Sequence, residues 1–185
     1  MIFDISFCQN KGSSSQQQDA LLIHHEVFLQ ATLPVAQCRN HGEDLVLAVA
    51  DGIASSPQAQ LVSRLVLEQL AGAIAAGETP DGKLVRQLQI ALAYRYGRDK
   101  TFGTSTTIAM QASTDDRAYV YNAGDIRIYH IVAAGVWQQL SHDHTFLNTL
   151  IANGEARVGE EYASIYYILE SALVADPEVP DFQLH

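Results

Sequence analysis

The chain has 185 residues, of which 48% are hydrophobic, and a formal net charge of −10, enough apolar material for one core of ordinary size in a single domain over residues 1–185. That charge repels nucleic-acid phosphates and anionic lipid, and no Lys/Arg cluster offsets it locally. No apolar run nears the roughly 20 residues that span a bilayer and no basic segment leads into an apolar one at Met1-Ile2-Phe3-Asp4, so a cytoplasmic protein with no nucleic-acid or membrane partner is expected.

Phe3, Ile5 and Phe7 alternate with Asp4 and Ser6, the period of a half-buried strand. A polar loop follows over Gln9 to Gln18, and Ala20 to Ile23 is a short apolar run. Leu45 to Ala50 reads as a strand buried on both faces and stops at Asp51-Gly52. From Ser56 the period becomes helical through Leu61, Leu65, Leu70 and Ile74, with Ser55 or Ser56 as the expected N-cap and Pro57 in the first turn. A second helix is expected over Gly82 to Tyr96, started by Thr79-Pro80-Asp81.

Beyond Gly103 the period returns to two. Thr104 to Ala112, Ala118 to Asn122, Ile126 to Val132 and Val136 to Leu140 read as an antiparallel meander joined by turns at Ser113-Thr114-Asp115-Asp116 and Ala134-Gly135. Asp143 to Asn153 fits a helix stopped by Gly154, while Ser164 to Ala172 fits strand or helix. Strands, a helix pair and more strands define an α+β fold with helices outside largely antiparallel sheets. There is no P-loop and no GxGxxG after a strand, which argues against nucleotide binding.

Cys8 and Cys38 make neither a disulfide framework nor a four-cysteine zinc site. No Gly-x-Ser-x-Gly elbow supports a serine nucleophile. Four aspartates, Asp19, Asp51, Asp125 and Asp143, fall where strands end or turns begin. Rigid carboxylates at such points suit magnesium or manganese, which take about six oxygen ligands and keep several waters. His142 and His144 flank Asp143, but alternate residues of an extended segment diverge, so both serving one metal is not expected.

Five elements in order resemble the PP2C (PPM) family of metal-dependent protein phosphatases, bacterial type. They are Gln17-Gln18-Asp19-Ala20, Val49-Ala50-Asp51-Gly52, Phe102-Gly103-Thr104-Ser105-Thr106, Asn122-Ala123-Gly124-Asp125-Ile126-Arg127-Ile128-Tyr129 and Leu140-Ser141-His142-Asp143-His144-Thr145. The resemblance implies a four-layer α-β-β-α sandwich of two antiparallel sheets, incomplete at its C-terminal end. It also implies hydrolysis of phosphoserine or phosphothreonine in a protein substrate by a water activated between two Mg²⁺ or Mn²⁺ ions.

By that resemblance Asp19 and Asp51 are the catalytic residues, and Asp19, Asp51, the Gly52 carbonyl and Asp143 are the metal ligands. Asp51 would bridge both ions, Asp19 would act through bound water and Asp143 would help hold a weaker third cation. The family's phosphate-gripping arginine falls on Ser14, and its later Asp-Gly and Asp-Asn elements are not present before His185. Those departures also admit a catalytically silent binding module, and an open sheet edge is expected to invite dimerisation.

Overall fold

Residues 2–42, 44–114, 117–179 and 181–185 are described by a computed structural model, so the Asp115-Asp116 half of the expected 113–116 turn lies outside the described residues. In chain order the strands are β1 (Phe3–Asn10), β2 (Asp19–Ile23), β3 (Glu26–Phe28), β4 (Thr32–Asn40) and β5 (Leu45–Asp51). Helices α1 (Ala59–Ala75) and α2 (Gly82–Tyr96) follow. Then come β6 (Ser105–Thr106), β7 (Ile108–Thr114), β8 (Arg117–Ala123), β9 (Tyr129–Ile131), β10 (Trp137–Gln139), α3 (Phe146–Ala152) and β11 (Leu173–Val174).

The centre is a five-stranded sheet in the order β3-β2-β5-β7-β8, with every neighbouring pair antiparallel. Side chains alternate across a strand, and β5 uses that alternation fully. Val46, Ala48 and Ala50 are buried under the helices, whereas Leu47 and Val49 on the other face are only half-buried. Val62, Val66, Leu67 and Leu70 of α1 and Leu84, Val85, Leu88 and Leu92 of α2 close over the first face. Each such side chain contributes about 2 kcal/mol by leaving water. The helix pair therefore lies on one outer face, as the change of period predicts.

The ends of the helices differ in how far they follow the sequence signals. Asp81 caps α2, its carboxylate accepting from the Leu84 N–H at 3.0 Å. At α1 the serine caps are not used, and the helix starts after Gln58, which sits in the left-handed region at φ 50°. Ser56 is engaged elsewhere. Its hydroxyl donates to the Ile53 carbonyl at 2.7 Å and accepts from the Ser105 N–H at 3.1 Å, which ties the loop after Asp51 to β6.

The expected four-strand meander is also corrected. β7 and β8 pair, but β9 and β10 pair only with each other, because the chain leaves the sheet at Gly124. Gly124 has φ 108° and lies so close to Thr107 that a Cβ there would come within 2.3 Å of the threonine methyl. The run of polar and apolar residues after Ile23 forms β3 and β4, two strands that the sequence pattern did not reveal.

The second layer is a ribbon and not a full sheet. β1 and β4 pair with each other, and the ribbon meets the central sheet where the Phe7 and Phe28 rings lie 5.2 Å apart. Two residues further along β1, Gln9 bonds both the Asp19 carbonyl, at 2.6 Å, and the Gln30 N–H, at 2.8 Å.

Candidate metal centre

The first residue of β2 and the last residue of β5 are direct partners across the ladder: Asp19 faces Asp51. Cβ atoms of such a pair lie about 4.5–5.5 Å apart on the same face, so the two carboxyls converge at the sheet end. The position of each is built locally. The buried Gln17 folds its amide oxygen back onto the Gln18 and Asp19 N–H groups at 3.0 and 3.1 Å, and its amide nitrogen donates to the Gln30 carbonyl. Asp51 is anchored through its own carbonyl, which accepts from the Thr107 N–H and the Thr106 hydroxyl, both at 2.9 Å.

Gly52 continues this anchoring. Its N–H donates to the Gln18 carbonyl at 3.1 Å, and a Cβ in its place would fall 2.3 Å from the Ala59 carbonyl oxygen. Only glycine lets the loop pass between the start of α1 and the β2 segment.

The Asp51 carboxyl is pushed up to about 7, first by its burial among neighbouring groups, then by the hydrogen bond and charge of Asp19 and by the charge of Asp125. Asp51 nonetheless keeps much of its accessible surface, so the crowding of three carboxyls is the sturdier part of that cause. Such a cluster at the solvent boundary gains from a cation, which removes the mutual repulsion that otherwise forces a proton onto Asp51.

Asp143 is placed differently. It is buried, at 7% exposure, and its carboxylate accepts from Arg127 Nε at 2.7 Å, from Arg127 Nη2 and from Gln139 Nε2 at 2.9 Å. Asn148 donates to its backbone carbonyl at 2.7 Å. Asp125, Arg127 and Asp143 line a cavity of about 470 Å³ with Thr145, Asn148 and Tyr167. Asp143 is thus committed to a guanidinium, and it stands in the wall of this cavity, not in the Asp19–Asp51 pair.

The histidines do not diverge as alternation suggests, because residues 141–144 form no strand. The His142 and His144 rings meet edge to face with centroids 5.3 Å apart, and the His185 ring lies 6.0 Å from that of His142. His144 Nδ1 accepts from the Gly124 N–H at 3.1 Å, and burial, then the neighbouring His142, pushes its pKa down. It serves as a neutral brace for the Gly124-Asp125 turn. Among the described residues no three His, Cys, Asp or Glu side chains are grouped to hold a metal ion by themselves.

The donor chemistry that is present still fits a hard cation. Two carboxylates and a backbone carbonyl are oxygen ligands of the kind Mg²⁺ and Mn²⁺ take, with waters filling the other positions. Ser14, at the expected arginine position, lies in a turn closed by its N–H on the Lys11 carbonyl, and the Lys11 ammonium bonds the Ser14 carbonyl in return. Lys11 is a cation of this loop that motif spacing passed over.

The sequence matches the protein phosphatase 2C family over residues 31–173, and the chain belongs to that family. Among solved structures it is similar to the serine/threonine phosphatase Stp1 of Staphylococcus aureus, with a TM-score of 0.77 at 16% identity over 100% of this chain and 70% of that one. It is similar as well to MsPP, a PPM Ser-Thr phosphatase of Mycobacterium smegmatis solved with cacodylate, at TM-score 0.72 and 22% identity over 99% of this chain and 70% of that one. The Mycobacterium tuberculosis phosphatase PstP/Ppp matches at TM-score 0.65 and 18% identity, over 100% of this chain and 73% of that one. No curated protein matches the sequence. These likenesses establish the shared α+β fold.

Proposed function

We propose that this chain carries metal-holding residues of the catalytic centre of a Mg²⁺- or Mn²⁺-dependent protein serine/threonine phosphatase. The observation that carries the reading is the register pair Asp19–Asp51, two crowded carboxyls at one sheet end with Gly52 beside them. Asp19, Asp51 and the Gly52 carbonyl would hold the cation, and when bound it supplies a water of lowered pKa and charge neutralisation at phosphorus.

The chain's own residues prepare that chemistry. Asp51 would be one of the residues holding the cation, and Thr106 and Thr107 fix its backbone at the sheet end by bonding its carbonyl. The cavity walled by Arg127, Thr145, Asn148 and Tyr167 offers room for the segment of a phosphoprotein substrate next to Asp125. Asp143 acts there by holding Arg127 in place, with any role toward a further cation secondary to that ion pair. Lys11 stands in the loop where the family's arginine would be, and we assign it the attraction of the substrate phosphate. Among the described residues no helix is long and apolar enough to cross a membrane.

The test is manganese-dependent hydrolysis of p-nitrophenyl phosphate and of a phosphothreonine peptide by the chain and its Asp51→Asn variant. Turnover that needs manganese and disappears with Asp51→Asn is expected. Turnover that survives that substitution would overturn the assignment.

A further inference from the structure

Contrary to the expectation of no local cluster of cations, the fold gathers a basic surface at the end of α2. Arg95, Arg98 and Lys100 fall within six residues there, and all three are exposed. Arg95, in the last helical turn, faces the negative end of the helix dipole, an ordinary setting for a cation. Arg98 and Lys100 lie beyond the helix and have no such reason. None of the three enters a salt bridge among the described residues, whereas Arg39, Arg64, Arg86, Arg127 and Arg157 all do. The chain reverses through a single 3-10 turn, Asp99–Thr101, with Asp99 in the left-handed region at φ 52°. The Thr101 hydroxyl reaches back to the Tyr96 carbonyl at 2.8 Å and the Arg98 carbonyl at 3.0 Å. Arg95, Arg98 and Lys100 thereby line one open cleft of about 740 Å³ with Asp99 and Thr101. Asp99 is the one acid among the described residues of that lining, so the cleft keeps a positive balance.

Its place in the fold gives this surface a use. α1 begins and α2 ends at the sheet end that carries the acidic pair. Gly52 bridges to Thr106 of β6, and the Thr104 hydroxyl donates to the Pro57 carbonyl just before α1. Six residues separate Lys100 from Thr106, whose hydroxyl holds the Asp51 carbonyl, so the two lie at most about 20 Å apart. An extended peptide covers that distance in about six residues. Tyr94 is 83% exposed and Phe102 50% exposed, so aromatic surface borders the cations in sequence on both sides.

We propose that Arg95, Arg98 and Lys100 form a docking site for an acidic segment of the phosphoprotein substrate, about six residues from its phosphorylated side chain. The inference rests on the phosphatase reading above. A phosphopeptide is an anion that approaches a chain of net charge −10, and Asp19, Asp51 and Asp125 repel acidic residues adjacent to its phosphate. Acids farther along the peptide meet the three cations instead, where the arginine forks match carboxylates. The Tyr94 and Phe102 rings offer cover to an apolar residue between those acids. A nucleic acid or an anionic membrane is the poorer occupant, because its charge extends past the cleft onto the acidic remainder of the surface.

The experiment compares phosphothreonine peptides that carry a glutamate run about six residues from the phosphothreonine, on either side, with glutamine versions and with a version whose glutamates are adjacent to it. Manganese-dependent turnover is measured for the chain and for an Arg95→Gln, Arg98→Gln, Lys100→Gln triple variant, which alters only exposed side chains, with p-nitrophenyl phosphate as the control. The distant-glutamate peptide is expected to gain about tenfold in kcat/KM over its glutamine version, through KM and more strongly at low salt. The adjacent-glutamate peptide should show no gain. The triple variant should lose the gain and keep its turnover of p-nitrophenyl phosphate. Fluorescence anisotropy with the unphosphorylated peptides reads docking alone, so preferential binding of the glutamate peptide without any turnover sinks the phosphatase reading and leaves the acidic-segment site standing. Equal binding of the glutamate and glutamine peptides overturns the proposal. So does a preference that survives the triple variant, or tighter binding of phosphatidylserine vesicles than of the glutamate peptide at this surface.

Discussion

Asp19 opens β2 directly opposite Asp51, which closes β5, so that their carboxyls crowd one end of the sheet. Two acids so placed are a liability without a cation and an asset with one. Addition of Mn²⁺ should raise the melting temperature of the chain and support phosphatase turnover, and Asp51→Asn should remove both effects. Loss of a group that organises charge around the reacting phosphate typically lowers rate by about 100-fold or more. Calorimetry and a chromogenic phosphatase assay, each with and without manganese, measure the two consequences separately.

The same pair sets a pH dependence. Asp51 is raised from an ordinary 3.8 to about 7, so between those values the folded chain holds a proton that the unfolded chain has lost. Stability from this group is therefore complete at the acid end and declines as pH rises through about 7. Chemical denaturation at intervals across that window should show the decline in metal-free protein. Asp51→Asn should flatten it, and a saturating divalent cation should reverse it.

Gly52 allows a sharper structural test. A methyl group at this position meets the Ala59 carbonyl oxygen at 2.3 Å and the Gln18 carbonyl oxygen at 2.9 Å, and backbone on both sides cannot swing away as a side chain would. Gly52→Ala should cost about 3 kcal/mol, at the upper end of overpacking penalties, and should weaken manganese binding because Asp51 is the preceding residue. Urea unfolding and a metal titration on the variant decide both points.

Arg127 and Asp143 give a fourth prediction. Arg127→Ala leaves the buried Asp143 carboxylate with Gln139 alone, and losing hydrogen bonds to a charged group costs about 2 kcal/mol. Arg127→Lys should recover only part of this, since an ammonium lacks the planar fork that places both Nε and Nη2 on one oxygen. Unfolding free energies of the two variants test the order.

Much of this arrangement was legible from residue order. The helix pair, the Asp81 cap and the β5 strand follow from period and capping chemistry, although β5 is fully buried on one face only and not on both, and Asp19 and Asp51 stand out as acids at strand ends. What remained hidden depends on partners distant in the chain. Ser56 looks like a helix cap until β6 supplies the Ser105 N–H that takes its hydroxyl. Nothing in the sequence around Asp143 shows that Arg127, sixteen residues earlier, pairs with it. β3 and β4 mix polar and apolar residues because their ribbon is exposed along much of its length, so no clean alternation marks them. Gln9 and Gln17 gave no motif of their own role, since only the fold makes their amides the braces of Asp19.

Gln89 of α2 is fully buried and grips the distant β11 segment three times, accepting from the Val174 N–H and donating to the Val174 and Val179 carbonyls. β11 in turn pairs with β6, where Thr106 holds the Asp51 carbonyl. During synthesis on the ribosome, then, Asp19 and Asp51 emerge early, but the clasp that steadies them is finished only when residues near 174 have left the exit tunnel. A nascent chain halted before that point would carry both acids without the rigid frame that makes them a site, so tight capture of a cation would arise well after the two acids themselves have emerged.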